Sequence, residues 1–361
     1  MAKRKQRRDE FQDISSYSSK QAYKKNQKKK KRTGLKVFLS FICVILVLVG
    51  GVMIYASTVL LGDLKTTTIT KDKTELGISE ETKSEAGITN IALFGVDARD
   101  YDGGTFAGRS DAIMVMSIDN VHHKVKLTSI MRDVRVYMGD GSPYDSGYDK
   151  LNHAYMYGGP EQAIRAINQN FGLDIQDYVT VNFSAMAKIV DAFGGVNIDL
   201  TEEEVEQINI NMRDLAATSP DSMAGDVSTY APLSAGEGVL LNGDEAVAYG
   251  RIRAIDNDNG RVERQQEVLS ALLSKASSIS KLEYPSIIQQ LAPLCETSLT
   301  FDKMIGLAQI ALTGFDIERL SIPSDVEGYA SDYCEGGGWM WTYDTDVAAQ
   351  HIHEFIYEDE N

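Results

Sequence analysis

Four arginines fall within fourteen positions, Arg251, Arg253, Arg261 and Arg264, with Gln265 directly after the last. Guanidinium groups stay charged at any working pH and take phosphate oxygens bidentately. The segment therefore invites an anionic ligand, although Asp256, Asp258, Glu263 and Glu267 are near enough for surface salt bridges, so both readings stand. Asp258 or Asn259 suits an N-cap, which predicts a helix carrying Arg261, Arg264 and Gln265 on one face in its first turns, where free amides attract anions. Down the same face run Val268, Leu269 and Leu272. A polar head over an apolar stripe suits a phosphate attached to a hydrocarbon; packed core is the alternative for the stripe.

A second set lies upstream: Asp97, Arg109, Asp111, Arg132 and Asp133. Residues 90–96, 112–118 and 124–130 read as strands, the last two joined by a turn at 119–123. If that turn centres between Val121 and His122, positions summing to 243 face each other, and Asp111 and Arg132 form such a pair. Asp97 joins them if the first strand runs antiparallel to the second. All five then share one rim of the sheet, unless they are merely solvated strand ends. Mg²⁺ usually takes one or two carboxylates plus substrate phosphates, so arginines with an aspartate pair suggest pyrophosphate and Mg²⁺. No GxxxxGK[ST] or GxGxxG occurs at a strand–helix junction. Nor do the histidines form a nucleophile–base set, because His122 and His123 sit in the turn and His351 and His353 near the acidic C-terminus.

The elements that must hold these groups alternate in type. Pro160 opens a helix closed by Gly172, a strand covers 177–183, and Ser184 caps a helix ending at Gly194-Gly195. A strand at 196–200 and helices at 243–249 and 261–275 follow, with more helix beyond Tyr284. Strands mixed with helices and a hairpin imply an α/β or α+β sandwich with a mixed central sheet.

Charge is divided sharply along the 361 residues. Residues 1–36 hold fourteen Lys or Arg against three acids; from Gly62 onward the count is twenty-two against forty-nine, so the zones carry +11 and −27. Between them residues 37–61 carry no charge, and a helix of that length rises roughly 37 Å, enough to cross a membrane. The basic side keeps the N-terminus cytoplasmic and exports the rest. The reading is thus a basic cytoplasmic tail (1–36), a retained transmembrane helix (37–61), a polar tether (62–86) and an extracellular domain (87–361). The run from Lys28 to Arg32 serves topology and anionic headgroups, with no nucleic-acid motif beside it. Three cysteines and five histidines build neither a disulfide framework nor a structural zinc site; Cys295 and Cys334 are either one bridge or two thiols. Gly336-Gly-Gly-Trp-Met-Trp341 reads as ordinary packing or an aromatic platform for sugar.

Five segments in order resemble the LytR–CpsA–Psr family of bacterial cell-envelope proteins: Gly108-Arg-Ser-Asp111, Ser129-Ile-Met-Arg-Asp133, Lys150-Leu-Asn-His-Ala-Tyr155, Val190-Asp-Ala-Phe-Gly-Gly-Val196 and Arg251 to Gln266. The resemblance implies an α/β/α sandwich that binds a polyprenyl-pyrophosphoryl glycan. It further implies Mg²⁺-assisted transfer of the glycan phosphate to a peptidoglycan hydroxyl. Metal-binding aspartates fall on Asp97 and Asp111, pyrophosphate arginines on Arg109, Arg132, Arg251, Arg253 and Arg261, with Gln265 nearby and Asp133, Lys150 and Asn152 as companions. One departure is Met131, where the family commonly has proline, and it bears on the local turn alone. Arginines and Mg²⁺ would stabilise charge on the leaving phosphate, while Asp111 or Asp133 assists the acceptor hydroxyl. A binding module for prenyl phosphate or wall glycan is the alternative, and an envelope-linked regulator a third reading that the topology disfavours.

Overall fold

The computed structural model describes residues 65–82, 84–96, 106, 108–218, 232–256, 258–278, 287, 290–300, 303–304, 307, 315–333, 335 and 338–358. These belong to the second of two units, Leu60–Asn361. The basic tail, the apolar run 37–61, Asp97 and Cys334 lie outside the described residues. No helix among the described residues is long and apolar enough to cross a membrane.

Among the described residues, seven strands form the main sheet, in the order β1 (Lys65–Thr66), β10 (Cys295–Thr297), β7 (Asp177–Asn182), β2 (Ile88–Val96), β3 (Ser110–Asp119), β4 (Lys124–Ile130), β11 (Asp316–Ile322). β2–β3–β4 is an antiparallel meander, whereas β7 joins β2 and β11 joins β4 in parallel, so the sheet is mixed as expected. Met114 faces Ser129 and Asp119 faces Lys124, pairs that each sum to 243. The register expected from the turn therefore holds.

Strand alternation sends side chains to opposite faces. On one face Ala92, Phe94, Val96, Ile113 and Val115 pack with α1 (Leu151–Phe171) and α6 (Thr345–Tyr357). The other face meets α2 (Phe183–Ala192), α4 (Gly243–Tyr249) and α5 (Asp258–Ser278), whose apolar sides, with α3 (Glu202–Thr218) and the ribbon β8 (Val196–Leu200)–β9 (Gly236–Leu241), build a second core. Helices on both faces make the sandwich. Two further ribbons lie beyond the sheet: β5 (Arg135–Tyr137) with β6 (Tyr148–Lys150), and β12 (Ala330–Tyr333) with β13 (Trp339–Thr342).

Several expectations are corrected. Part of the tether belongs to the domain: β1 pairs with β10, and Ile69, Leu76 and Ile78 are buried in the main core. Three apolar anchors without a period leave no pattern to read, and Asn168 fixes the segment by donating to the Leu76 carbonyl at 2.9 Å. α1 begins at Leu151, and Pro160 opens only its second part, after a break at Gly158 and Gly159, where φ is +65° at Gly159. That left-handed geometry suits a residue without Cβ. α2 is capped by Asn182, which accepts from the Ala185 amide at 2.7 Å, because the chain leaves the strand two residues before Ser184. α5 already includes Asp258, so neither Asp258 nor Asn259 is its cap. Met131 donates its amide to the Ile322 carbonyl at 2.8 Å, a bond proline could not make.

Candidate active site

β3 and β4 end at one rim, and the residues just past their apolar stretches meet there. Arg132 Nη1 donates to Asp111 Oδ1 at 2.5 Å and its Nε to Asp133 Oδ2 at 2.8 Å. Lys150, at the end of β6, donates to the other Asp133 oxygen at 3.2 Å. Burial alone would raise the Asp133 pKa, but Arg132 and then Lys150 outweigh it and hold the carboxyl below its ordinary range. Burial likewise disfavours the Arg132 charge, and Asp111 and Asp133 more than restore it. In both groups burial is the largest single influence, and the neighbouring charges with their hydrogen bonds together outweigh it.

Behind this rim opens a polar cavity of about 440 Å³. Asp111 and Arg132 form one wall, Arg251 and Arg253 after α4 another, and Arg261 and Gln265 of α5 a third. Arg251 is set over the Phe183 ring at 5.0 Å, and Gln265 is fixed by donating to the Gly250 carbonyl at 3.2 Å. Arg261, 2% exposed, points its Nη2 toward the Asp111 carbonyl at 3.5 Å. Among the described residues, one carboxylate and four guanidiniums give this wall +3. That field favours a multiply charged anion.

A second cavity of about 230 Å³ adjoins the first, and Phe183, Gly250 and Gln265 line both. Its walls are Leu93, Met114 and Val179 of the sheet and Met186, Leu269 and Leu272 of the helices, with Val268 beside them. The expected polar head over an apolar stripe is thus the arrangement found. Cys295 also faces this cavity, and burial pushes its thiol up to about 11.

Not every expected residue joins the cavity. Arg264 does not: its Nε meets Glu204 at 3.0 Å, its Nη atoms meet Asp256 at 3.1 and 2.7 Å, and its guanidinium lies over the Tyr249 ring. Arg264 lies 100° round the helix from Gln265, at the edge of the shared face, and the carboxylates of Glu204 and Asp256 draw it to the far side. Gly260 makes the pairing possible, since a Cβ there would lie 2.1 Å from the Asp256 carboxylate. Arg109 is exposed one residue before β3. Asn152 is buried beside the rim, its amide donating to the Arg132 carbonyl at 2.9 Å. Lys150 and Asn152 therefore support the rim from behind.

Gln207 and Asn211 of α3 also line the cavity. The sequence reading missed that helix, though Thr201 and Glu204 exchange capping-box bonds and Val205, Ile208, Met212 and Leu215 repeat at helical spacing.

A hard divalent cation needs carboxylate oxygens. Among the described residues no three His, Cys, Asp or Glu side chains cluster as a metal set. Asp111 is the described carboxylate on the cavity wall, and residue 97 directly follows Val96, whose register partner is Ser110. One carboxylate beside an arginine-lined cavity fits the oxygen-rich, partly ligand-supplied sphere of Mg²⁺ better than the closed sphere of a structural zinc.

The fold and site define a class: a mixed-sheet α/β sandwich whose rim carries an arginine-lined cavity opening onto an apolar one. The family model described as "LytR_cpsA_psr family" matches residues 52–355, and the chain belongs to that family. It is 26% identical to the polyisoprenyl-teichoic acid–peptidoglycan teichoic acid transferase TagT of Bacillus subtilis, across 83% of this chain and 91% of the relative. With a TagU of Halalkalibacterium halodurans the identity is 30%, over 65% of this chain and 69% of the relative. The fold is that of TagT bound to LIIa-WTA (TM-score 0.59, 21% identity, 80% and 99% coverage) and of TagT with bound octaprenyl pyrophosphate lipid (TM-score 0.56, 21%, 80% and 99%).

Proposed function

We propose that this protein is a membrane-anchored transferase. It moves a glycan phosphate from a polyprenyl-pyrophosphate carrier to a hydroxyl of peptidoglycan and releases polyprenyl phosphate. The observation that carries the reading is the junction of the two cavities. An amphipathic ligand with a doubly charged head and an isoprenoid tail matches both at once. Each methylene drawn into the apolar part contributes about 0.8 kcal/mol.

The acceptor oxygen attacks the glycan-side phosphorus, the P–O–P bond breaks, and the prenyl phosphate leaves with the bonding electrons. Arg132, Arg251, Arg253 and Arg261 surround the oxygens on which that charge grows, where fixed donors contribute most. Asp111 orients Arg132 and is the described carboxylate within reach of the acceptor proton. Asp133, held by two cations away from the cavity lining, positions Arg132. Mg²⁺, when bound at Asp111 and Asp97, supplies further charge neutralisation to the phosphates. The run 37–61 anchors the chain and puts the domain outside the cell.

The test uses the full chain in detergent with a lipid-pyrophosphate glycan, peptidoglycan and Mg²⁺. A phosphodiester-linked product that Arg132→Ala abolishes is the expected result. No product, or equal product from both proteins, rejects the reading.

A further inference from the structure

The two outlying ribbons, β5–β6 and β12–β13, enclose a separate groove of about 340 Å³ lined by Arg135, Ser146, Tyr148, Asp332, Tyr333 and Glu335, over a floor of Met340 and Thr342. We infer that this groove seats the acceptor, an uncharged stretch of N-acetylated glycan strand, and delivers the strand's next sugar to Arg132. The occupant's identity rests on the transferase reading above; the groove's chemistry does not.

Charge separates the groove from the phosphate cavity. Among the described residues the cavity wall stands at +3, whereas Arg135 against Asp332 and Glu335 leaves the groove at −1. A pyrophosphate is therefore drawn to the first and repelled from the second. What suits the groove is a neutral ligand rich in hydroxyl and amide groups. Its hydroxyls donate to Asp332 and Glu335 and accept from Arg135. Arg135 is already fixed, its guanidinium 3.7 Å from the Tyr148 ring centre, and Glu335 is held by the Ser146 amide at 3.3 Å. Groups set in place before binding lose little freedom on binding.

Aromatic surface supplies the other half. Tyr333 is 73% exposed on a strand exposed at all four positions, an isolated large ring on the groove's edge. Tyrosine offers an apolar face with a polar tip, suited to the alternating C–H and hydroxyl surface of a pyranose. Trp339, the cross-strand partner of Tyr333, meets Trp341 edge to face at 4.6 Å.

The groove is also wired to the rim. Val134 bridges Trp341, whose amide donates to the Asp133 carbonyl at 2.9 Å. Lys150 spans the two places, 3.2 Å from the Asp133 carboxylate and 5.8 Å from the Trp339 ring centre. Arg135 is three positions after Arg132, so their Cα atoms cannot lie more than about 11 Å apart, and Trp341 of β13 lines a small pocket together with Arg132. A strand bound in the groove thus has a neighbouring sugar within reach of the reacting phosphate.

Isothermal titration calorimetry of the full chain in detergent reads the groove's occupancy. Titration with chitotetraose, a neutral N-acetylglucosamine tetrasaccharide, is expected to give a saturable change. Tyr333→Ala and Asp332→Asn, both at exposed positions, should each weaken it at least tenfold, while octaprenyl pyrophosphate leaves it unchanged. In transfer assays Tyr333→Ala should raise KM for soluble uncross-linked peptidoglycan strands at least fivefold, with KM for the lipid donor unaltered. No saturable change in the wild type, equal affinities in the variants, or a KM shift confined to the donor each overturns the inference. Should the titration succeed while no variant or wild type transfers, the groove stands and the transferase reading fails.

Discussion

Arg132 and Arg264 are both arginines clasped between two carboxylates, on elements that meet near the same rim. Arg132 lies between Asp111 and Asp133, and Arg264 between Glu204 and Asp256. Their surroundings differ in charge. Lys150 adds a second cation at Asp133, and Arg251, Arg253 and Arg261 face Arg132 across open space. Arg264 is outnumbered by its two acids and roofed by Tyr249, whose hydroxyl is itself bonded to Glu267. An arginine is available to a ligand where its neighbourhood keeps an excess of positive charge beside a cavity. Where acids consume the charge, the same side chain is a brace. Both pairs shield buried charge; only the first leaves a field for something else to neutralise.

The most direct way to break this contrast is to truncate each arginine in turn. Arg132→Ala should lower transfer by about 100-fold or more, the loss typical of removing one donor to a developing oxyanion. Arg264→Ala should do the reverse, leaving the folded enzyme within a few-fold of wild-type activity. It should cost about 3 kcal/mol of stability by stranding Glu204 beside a partly exposed Asp256. Thermal melts beside specific activities check both. A large activity loss without destabilisation in Arg264→Ala would put that residue back in the site.

The apolar cavity sharpens the contrast from the other side, since a brace needs no lipid pocket behind it. Ala246 is 1% exposed and lines that cavity. Ala246→Leu should weaken octaprenyl pyrophosphate binding about tenfold, close to 1.4 kcal/mol, and leave a short-chain prenyl pyrophosphate almost unaffected. Cys295 reports on the same space. Its thiol, pushed up to about 11 by burial, should react slowly with alkylating agents at neutral pH, and octaprenyl pyrophosphate should slow it further. Mass spectrometry of alkylated protein with and without the lipid reads this; unchanged labelling would place the tail elsewhere.

How far these features were legible in the sequence follows from the distance over which each is determined. The Asp111–Arg132 pairing was legible because one short turn fixes the register of β3 and β4, and everything beyond the hairpin inherits it. The polar head and apolar stripe of α5 were legible because helical spacing is local. The fate of Arg264 was not, because Glu204 is sixty positions away on a helix that had gone unread. The docking of 65–82 was hidden for a related reason: Ile69, Leu76 and Ile78 find their places through α1 and β10, not through any period of their own. Of the aromatic segment 336–341, Met340 is buried and Trp341 packs against the main core, as ordinary packing requires. Exposed Tyr333 lies outside that segment and carried no local signal.

The smallest expected effect concerns Asp133, whose role as a positioning group makes a statement about pH. Its folded pKa lies below the ordinary 3.8, because Arg132 and Lys150 overcome the opposing cost of burial. A depressed folded value contributes stability that is fully present above the unfolded pKa and is lost as pH falls through the folded one. Wild type should therefore lose stability between roughly pH 4 and the lower folded value more steeply than Asp133→Asn, which has no proton to take up there. At pH 7 the variant is the less stable, and its kcat is reduced through a misplaced Arg132, while KM for the lipid donor changes little. Melting temperatures of both proteins across pH 3 to 7 decide the matter. Parallel curves would mean that Arg132 is positioned by Asp111 alone, and that the second carboxylate belongs with the braces.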